Sequence, residues 1–187
     1  MTTTVERAGP GRAPHEDAVV PGPRAVVLGD SIAGAWLPGL RSEPELIVLS
    51  GTYDTRLADP DADKAAVWRA GLASVVERLR RTGARVVLLT APPSGANLQT
   101  CATALNGPAD CLQSPPDRFR TQVTLEEQVA RDTGVVHVDP VSWFCVDGLC
   151  PAVVGNTPVF ADGLHMTAEY SRKIGPRVVE AVLGTTE

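Results

Sequence analysis

Apolar residues in this chain fall into short runs separated by longer stretches with a period near 3.6. That is the pattern of strands buried on both faces alternating with helices. The runs Arg24–Leu28, Glu45–Ser50, Arg85–Thr90 and Val135–Asp139 are predicted strands. The spacing predicts a short helix over Ser31–Leu40, interrupted by Pro38. A long helix is expected over Asp61–Thr82, with Trp68, Leu72, Val75 and Leu79 inward, Asp61 or Asp63 capping its start and Gly83 stopping it. A further helix runs from Asp117 to about Asp132 and closes at Gly134. The last opens at Thr167, with Tyr170, Ile174, Val178 and Val182 inward, and Pro176 is expected to kink or split it.

Strands alternating with helices through right-handed crossovers give a doubly wound parallel sheet. Sites in such sheets form at the carboxyl ends of the strands. Two segments stand outside the alternation. Ser94–Pro116 is Ser/Asn/Pro-rich and too long for a plain connection, so it reads as functional or stapled. A cysteine-bracketed turn between the fourth strand and the last helix reads as a small hairpin. Residues 1–23, rich in Pro, Gly and charge, read as a flexible tail before one domain over 24–187.

Composition narrows the function classes. The 187 residues suffice for a real core, and 43% hydrophobic with 21% charged residues fits a globular protein. A net charge of −5 and 4% aromatics argue against nucleic acid or an anionic membrane surface as partner. No apolar run approaches the roughly 20 residues of a membrane span, and no signal-peptide core is visible, which leaves the cytoplasm as the default compartment. The four cysteines complicate that default. They fall as local pairs, Cys101 with Cys111 and Cys145 with Cys150, and read as two short-range disulfides, the alternative being reduced structural thiols. Disulfides suit an extracytoplasmic setting. The spacing does not fit a zinc site.

Candidate chemistry sits at the two ends. The first strand exits through Gly29-Asp30-Ser31 at the start of a predicted helix, where a serine lies among unpaired N–H groups able to stabilise an oxyanion. Near the other end, Asp162-Gly163-Leu164-His165 places a carboxylate three residues before an imidazole, just ahead of a helix cap at Thr167. A hydroxyl nucleophile needs a base, and the base needs a partner that fixes its tautomer. Ser31, His165 and Asp162 are those three types. Of the other two histidines, His15 lies in the tail and His137 inside a strand, where packing is the usual role.

These two motifs resemble the SGNH (GDSL-type) hydrolase family. The tail from Cys145 through His165 is similar, more specifically, to the SGNH domains fused to membrane acyltransferases that modify bacterial glycans. The likeness runs from about Arg24 to the C-terminus. It implies a three-layer, flavodoxin-like fold and a Ser31–His165–Asp162 triad that needs no metal or organic cofactor. Family members build an oxyanion hole from the serine N–H, a Gly after the second strand and an Asn after the third. Here Arg41–Pro44 leaves no room for the usual second strand, and Gly51-Thr52-Tyr53-Asp54 stands in the third block with Thr52 or Tyr53 where Asn is expected. About four parallel strands therefore replace the usual five, and the bared sheet edge would be covered by the tail or a second chain. The resemblance implies an esterase acting on small O-acyl groups, acetyl foremost, on a carbohydrate or glycosylated metabolite. Gly51, Thr52 or Tyr53, or else the Gly34 N–H, would complete the oxyanion hole with the Ser31 N–H. A non-catalytic binding domain and an O-acyltransferase are the alternatives.

Overall fold

The computed structural model describes residues 25–29, 45–53, 57 and 59–184. The 1–23 tail, the expected Ser31–Leu40 helix and Ser31 itself lie outside the described residues. In chain order the elements are β1 (Ala25–Leu28), β2 (Leu46–Leu49), α1 (Lys64–Arg80), β3 (Arg85–Leu89), α2 (Leu98–Cys101) and β4 (Leu112–Gln113). They continue with α3 (Asp117–Thr133), β5 (Val136–Val138), α4 (Val141–Phe144), β6 (Cys150–Pro151), β7 (Val153–Val154), β8 (Thr157–Pro158) and α5 (Ala168–Leu183).

The four apolar runs form one parallel sheet in the order β1-β2-β3-β5. Alternate residues of β2 and β3 serve opposite faces, as the pleat requires. Ile47, Val86 and Leu88 meet Val76 of α1 and Val129 of α3 on one side. Leu46, Val48, Val87 and Leu89 meet Val182 of α5 on the other. The result is three layers, helix–sheet–helix, with each fully buried aliphatic side chain contributing about 1.5–3 kcal/mol. Residues 30–44, on which the expected loss of the usual second strand falls, lie outside the described residues.

Two helical expectations are corrected. In α1, Val76 is fully buried while Val75 is 40% exposed, so the inward row runs Trp68, Leu72, Val76, Leu79. Either row fits a period of 3.6; contact with Val86 and Val129 selects Val76. Asp63, not Asp61, is the N-cap, accepting from Ala66 N at 3.1 Å. The last helix, α5, is not split at Pro176 but continues through it to Leu183. Pro176 and Arg172, whose carbonyl loses its helical partner to the proline, are both exposed residues. Tyr170, Ile174 and Val182 are buried as expected.

Both cysteine pairs are disulfides, Cys101–Cys111 and Cys145–Cys150. Inside the second, Val146 and Leu149 exchange backbone hydrogen bonds at 2.9 and 3.0 Å. Asp147 (φ 51°) and Gly148 (φ 76°) turn the chain between them, the Asp-Gly hairpin chemistry that needs positive φ twice. The long Ser94–Pro116 segment folds into α2, a 3₁₀ turn at Pro108–Asp110 and β4. Strand β4 pairs antiparallel with β6 and so joins the two cysteine loops.

Candidate active site

Because all four strands of the sheet are parallel, Gly29, Ser50–Tyr53 and Thr90–Gly95 emerge on one edge. The Asp162–His165 loop is seated on that edge. Phe160, 3% exposed, anchors its start by stacking on Phe144 with ring centroids 5.8 Å apart. Ala161 N donates to His165 O at 2.8 Å and closes the loop. Gly95 N donates to Gly163 O at 2.9 Å and ties the loop to the segment after β3. Thr167 then caps α5, accepting from Tyr170 N at 3.1 Å and donating to Pro158 O at 2.6 Å.

Within the loop, Asp162 is fixed at both oxygens. Oδ1 accepts from the backbone N–H groups of His165 (2.7 Å) and Leu164 (2.9 Å), while Oδ2 meets His165 Nδ1 at 2.7 Å. Hydrogen bonding to the ionised form, first from the His165 backbone N–H, then from its ring and from Leu164 N–H, holds the Asp162 carboxyl well below the usual carboxylate range. A carboxylate at Nδ1 makes that nitrogen the proton-bearing one. Nε2, on the far side of a half-exposed ring, is the one able to accept a proton. An imidazole so held has the geometry that a general base and its orienting carboxylate require.

The other sequence candidates fare variously. Ser31 lies outside the described residues; the last described residue before it is Gly29, at the carboxyl end of β1. Gly51, Thr52 and Tyr53 stand at the carboxyl end of β2. There the Gly51 carbonyl accepts from Gln122 Nε2 at 2.7 Å, and Tyr53 N donates to Gln122 Oε1 at 2.9 Å. A narrow cleft bounded by Tyr53, Pro92, Arg118 and Leu164 separates this loop from the His165 loop. Beside Gly29 and Gly51 lies a cavity of about 310 Å³, walled by Leu49, Trp68 and Leu72. Ser50 Oγ is buried there with no hydrogen-bond partner among the described residues. Among the described residues no group of His, Cys, Asp and Glu is arranged to hold a metal ion, and no helix is long and apolar enough to cross a membrane.

His137 has the packed role expected of it, at 11% side-chain exposure, with Nε2 2.9 Å from Thr90 Oγ1. Sequence reasoning missed its partners. Gln122 and Glu126 of α3 are each 4% exposed, and Glu126 also accepts from Thr90 Oγ1 and from Gln122 Nε2, the latter at 2.8 Å. The signal was available: both sit on the helical row of Phe119 and Val129, where apolar residues belong.

The family model described as "SGNH domain (fused to AT3 domains)" matches residues 41–180. Among solved structures, the periplasmic domain of the Salmonella ser. Paratyphi A lipopolysaccharide acetyltransferase is similar, with a TM-score of 0.56 at 16% identity. The match covers 73% of this chain and 57% of that one. A peptidoglycan O-acetylesterase is similar with a TM-score of 0.50 at 18% identity, covering 75% of this chain and 38% of that one. The chain thus spans little more than half of the first and under two fifths of the second, and at these identities the likeness speaks to fold alone. No curated protein matches the chain.

Proposed function

The chain belongs to the family of SGNH domains, and we propose that it is a serine ester hydrolase removing O-acyl groups, acetyl foremost, from a carbohydrate or glycosylated metabolite. The observation that carries the proposal is the 2.7 Å contact between Asp162 Oδ2 and His165 Nδ1, with Asp162 Oδ1 held by two backbone N–H groups. It prepares an imidazole for general-base work and leaves that role to Nε2. In this reading Ser31 is the nucleophile and 24–187 is the catalytic domain.

His165 Nε2 takes the proton of Ser31 Oγ as the oxygen attacks the ester carbonyl. The Ser31 N–H and a donor from the Gly51–Tyr53 loop hold the oxyanion. The imidazolium returns its proton to the departing sugar oxygen, leaving an acyl-Ser31 that water, activated by His165, then cleaves. The cavity beside Gly29 and Gly51 offers a seat for the acyl group.

We place the chain outside the cytoplasm, against the default its sequence suggests. Two disulfides support this, as does the likeness to a domain described as periplasmic.

Labelling with a fluorophosphonate and turnover of p-nitrophenyl acetate test the reading. Ser31 labels, and Ser31→Ala and His165→Ala each abolish turnover. A parent that does not label, or variants that match the parent, would leave a binding domain on a hydrolase scaffold. The family's description as fused to AT3 domains favours a second reading, transfer of the acyl group to a sugar hydroxyl instead of water. Acylated sugar formed in place of free acid, on adding a sugar acceptor, distinguishes the two.

A further inference from the structure

We propose that Gln122 is a positioning residue for the ester chemistry: its side-chain amide sets the backbone of Gly51–Tyr53 and so aims that loop's oxyanion donor. The inference rests on the esterase reading above.

Gln122 meets the loop at two points, donating from Nε2 to Gly51 O (2.7 Å) and accepting at Oε1 from Tyr53 N (2.9 Å). The amide thereby takes the place of a neighbouring strand just where β2 has ended and sheet pairing no longer fixes the backbone. Its orientation is determined by what it faces. Nε2 lies between two acceptors, Gly51 O and Glu126 Oε1, whereas Oε1 faces an N–H; rotating the amide by half a turn would set donor against donor and acceptor against acceptor.

Glu126 is held in turn from the sheet. Thr90 Oγ1, at the end of β3, donates to Glu126 Oε2. That uses the hydroxyl proton, so His137 Nε2 at 2.9 Å is the donor to Thr90 Oγ1. A chain of side chains therefore runs from β5 through the end of β3 to α3 and out to the loop after β2. Thr90 is fully buried and Gln122 and Glu126 nearly so, and polar groups in such surroundings have few alternative partners. A glutamine needed only for packing would not have to be an amide. This one is read at three polar atoms, two of them in the loop. The ring of Tyr53 is fixed separately, edge-on to Trp68 at 5.5 Å with Lys64 Nζ 4.7 Å from its centroid, so the amide governs the backbone.

The test uses the full chain with Gln122→Met, which keeps length and removes the amide, and Gln122→Asn, which keeps the amide one methylene short. Ester turnover is expressed per fluorophosphonate-titrated site, and hydrogen exchange is followed at the Tyr53 amide. In both variants kcat falls by about 10²-fold with KM within about threefold, because the lost alignment matters only once charge develops on the carbonyl oxygen. Exchange at Tyr53 quickens by about tenfold or more. Unchanged kcat per titrated site, or exchange as slow as in the parent, overturns the proposal. So does a parent Tyr53 amide that already exchanges at the rate of a free loop, a measurement that needs no variant to fold. Should Ser31→Ala show that the parent has no serine-dependent turnover, the esterase reading fails instead, and exchange at Tyr53 decides whether Gln122 holds the loop.

Discussion

Gly95 and Gly163 interlock: Gly95 N donates to Gly163 O at 2.9 Å, and a Cβ on Gly163 would stand 2.9 Å from Gly95 O. On its other side, a Cβ on Gly95 would stand 2.7 Å from the Phe160 ring. The His165 loop therefore rests on the sheet edge at a distance only two glycines permit.

Replacing Gly163 with Ala tests that seating. The backbone there has φ +87°, which costs an L-residue about 1–2 kcal/mol even before the contact with Gly95 O is counted. Thermal unfolding should show this loss, and ester turnover should fall by about 10-fold or more as His165 is displaced.

Asp162→Asn preserves the shape of the loop while removing the charge beside His165 Nδ1. The imidazole loses the partner that fixes its tautomer, and kcat should fall by about 10³–10⁴-fold with the fold intact by circular dichroism. A fall of less than about tenfold would remove Asp162 from the mechanism.

The Asp162 carboxyl also gives a pH prediction. Its folded pKa is depressed, so its contribution to stability is in place above the unfolded carboxylate pKa of about 3.9 and is lost only as pH falls through the lower folded value. The Asp162 side-chain resonance should show no titration step between about pH 5.5 and 3, where an ordinary carboxylate passes its midpoint. A midpoint near 4 would mean that the N–H groups of Leu164 and His165 do not hold it in solution.

Reduction should weaken the molecule in two increments. The disulfides close separations of 10 and 5 residues, worth about 2–3 kcal/mol each. Thermal unfolding with and without a reductant should differ by about 5–10 °C per bridge, and Cys101→Ser and Cys145→Ser should each reproduce part of the shift.

The register of α1 is open to a direct comparison. Val76→Ala should cost about 2 kcal/mol and Val75→Ala no more than about 0.5, since only Val76 is enclosed. Equal costs would restore the row expected from sequence.

How far the sequence discloses the molecule can be judged residue by residue. The four strands are legible because burial on both faces leaves continuous apolar runs, and the inner row of α5 because Tyr170, Ile174, Val178 and Val182 recur every fourth residue. The Asp162–His165 contact is legible because three residues of separation across a turn leave the two side chains few other geometries. Val76 was hidden because rows through 75 and 76 fit the helix equally, and only a neighbouring helix chooses. Pro176 does not split α5: it and Arg172, whose carbonyl it leaves without a helical partner, are both exposed residues. Strands of two residues, such as β4, carry no period to detect. Gln122 and Glu126 were visible as polar residues on an apolar row, yet their roles depend on Gly51 and Tyr53, some 70 positions away in the chain.

The pairing of β4 with β6 puts the two crosslinked loops in series: Cys111 directly precedes β4, Cys150 begins β6, and Ala152 N donates to Cys111 O at 2.9 Å. Slack introduced at one covalent tie is thus handed on to the other through a ladder only two residues long. Maturation of this flank is then an oxidative event, finished only when both sulfur pairs have closed, and a chain left in a reducing milieu would keep its sheet while losing the brace around its far side.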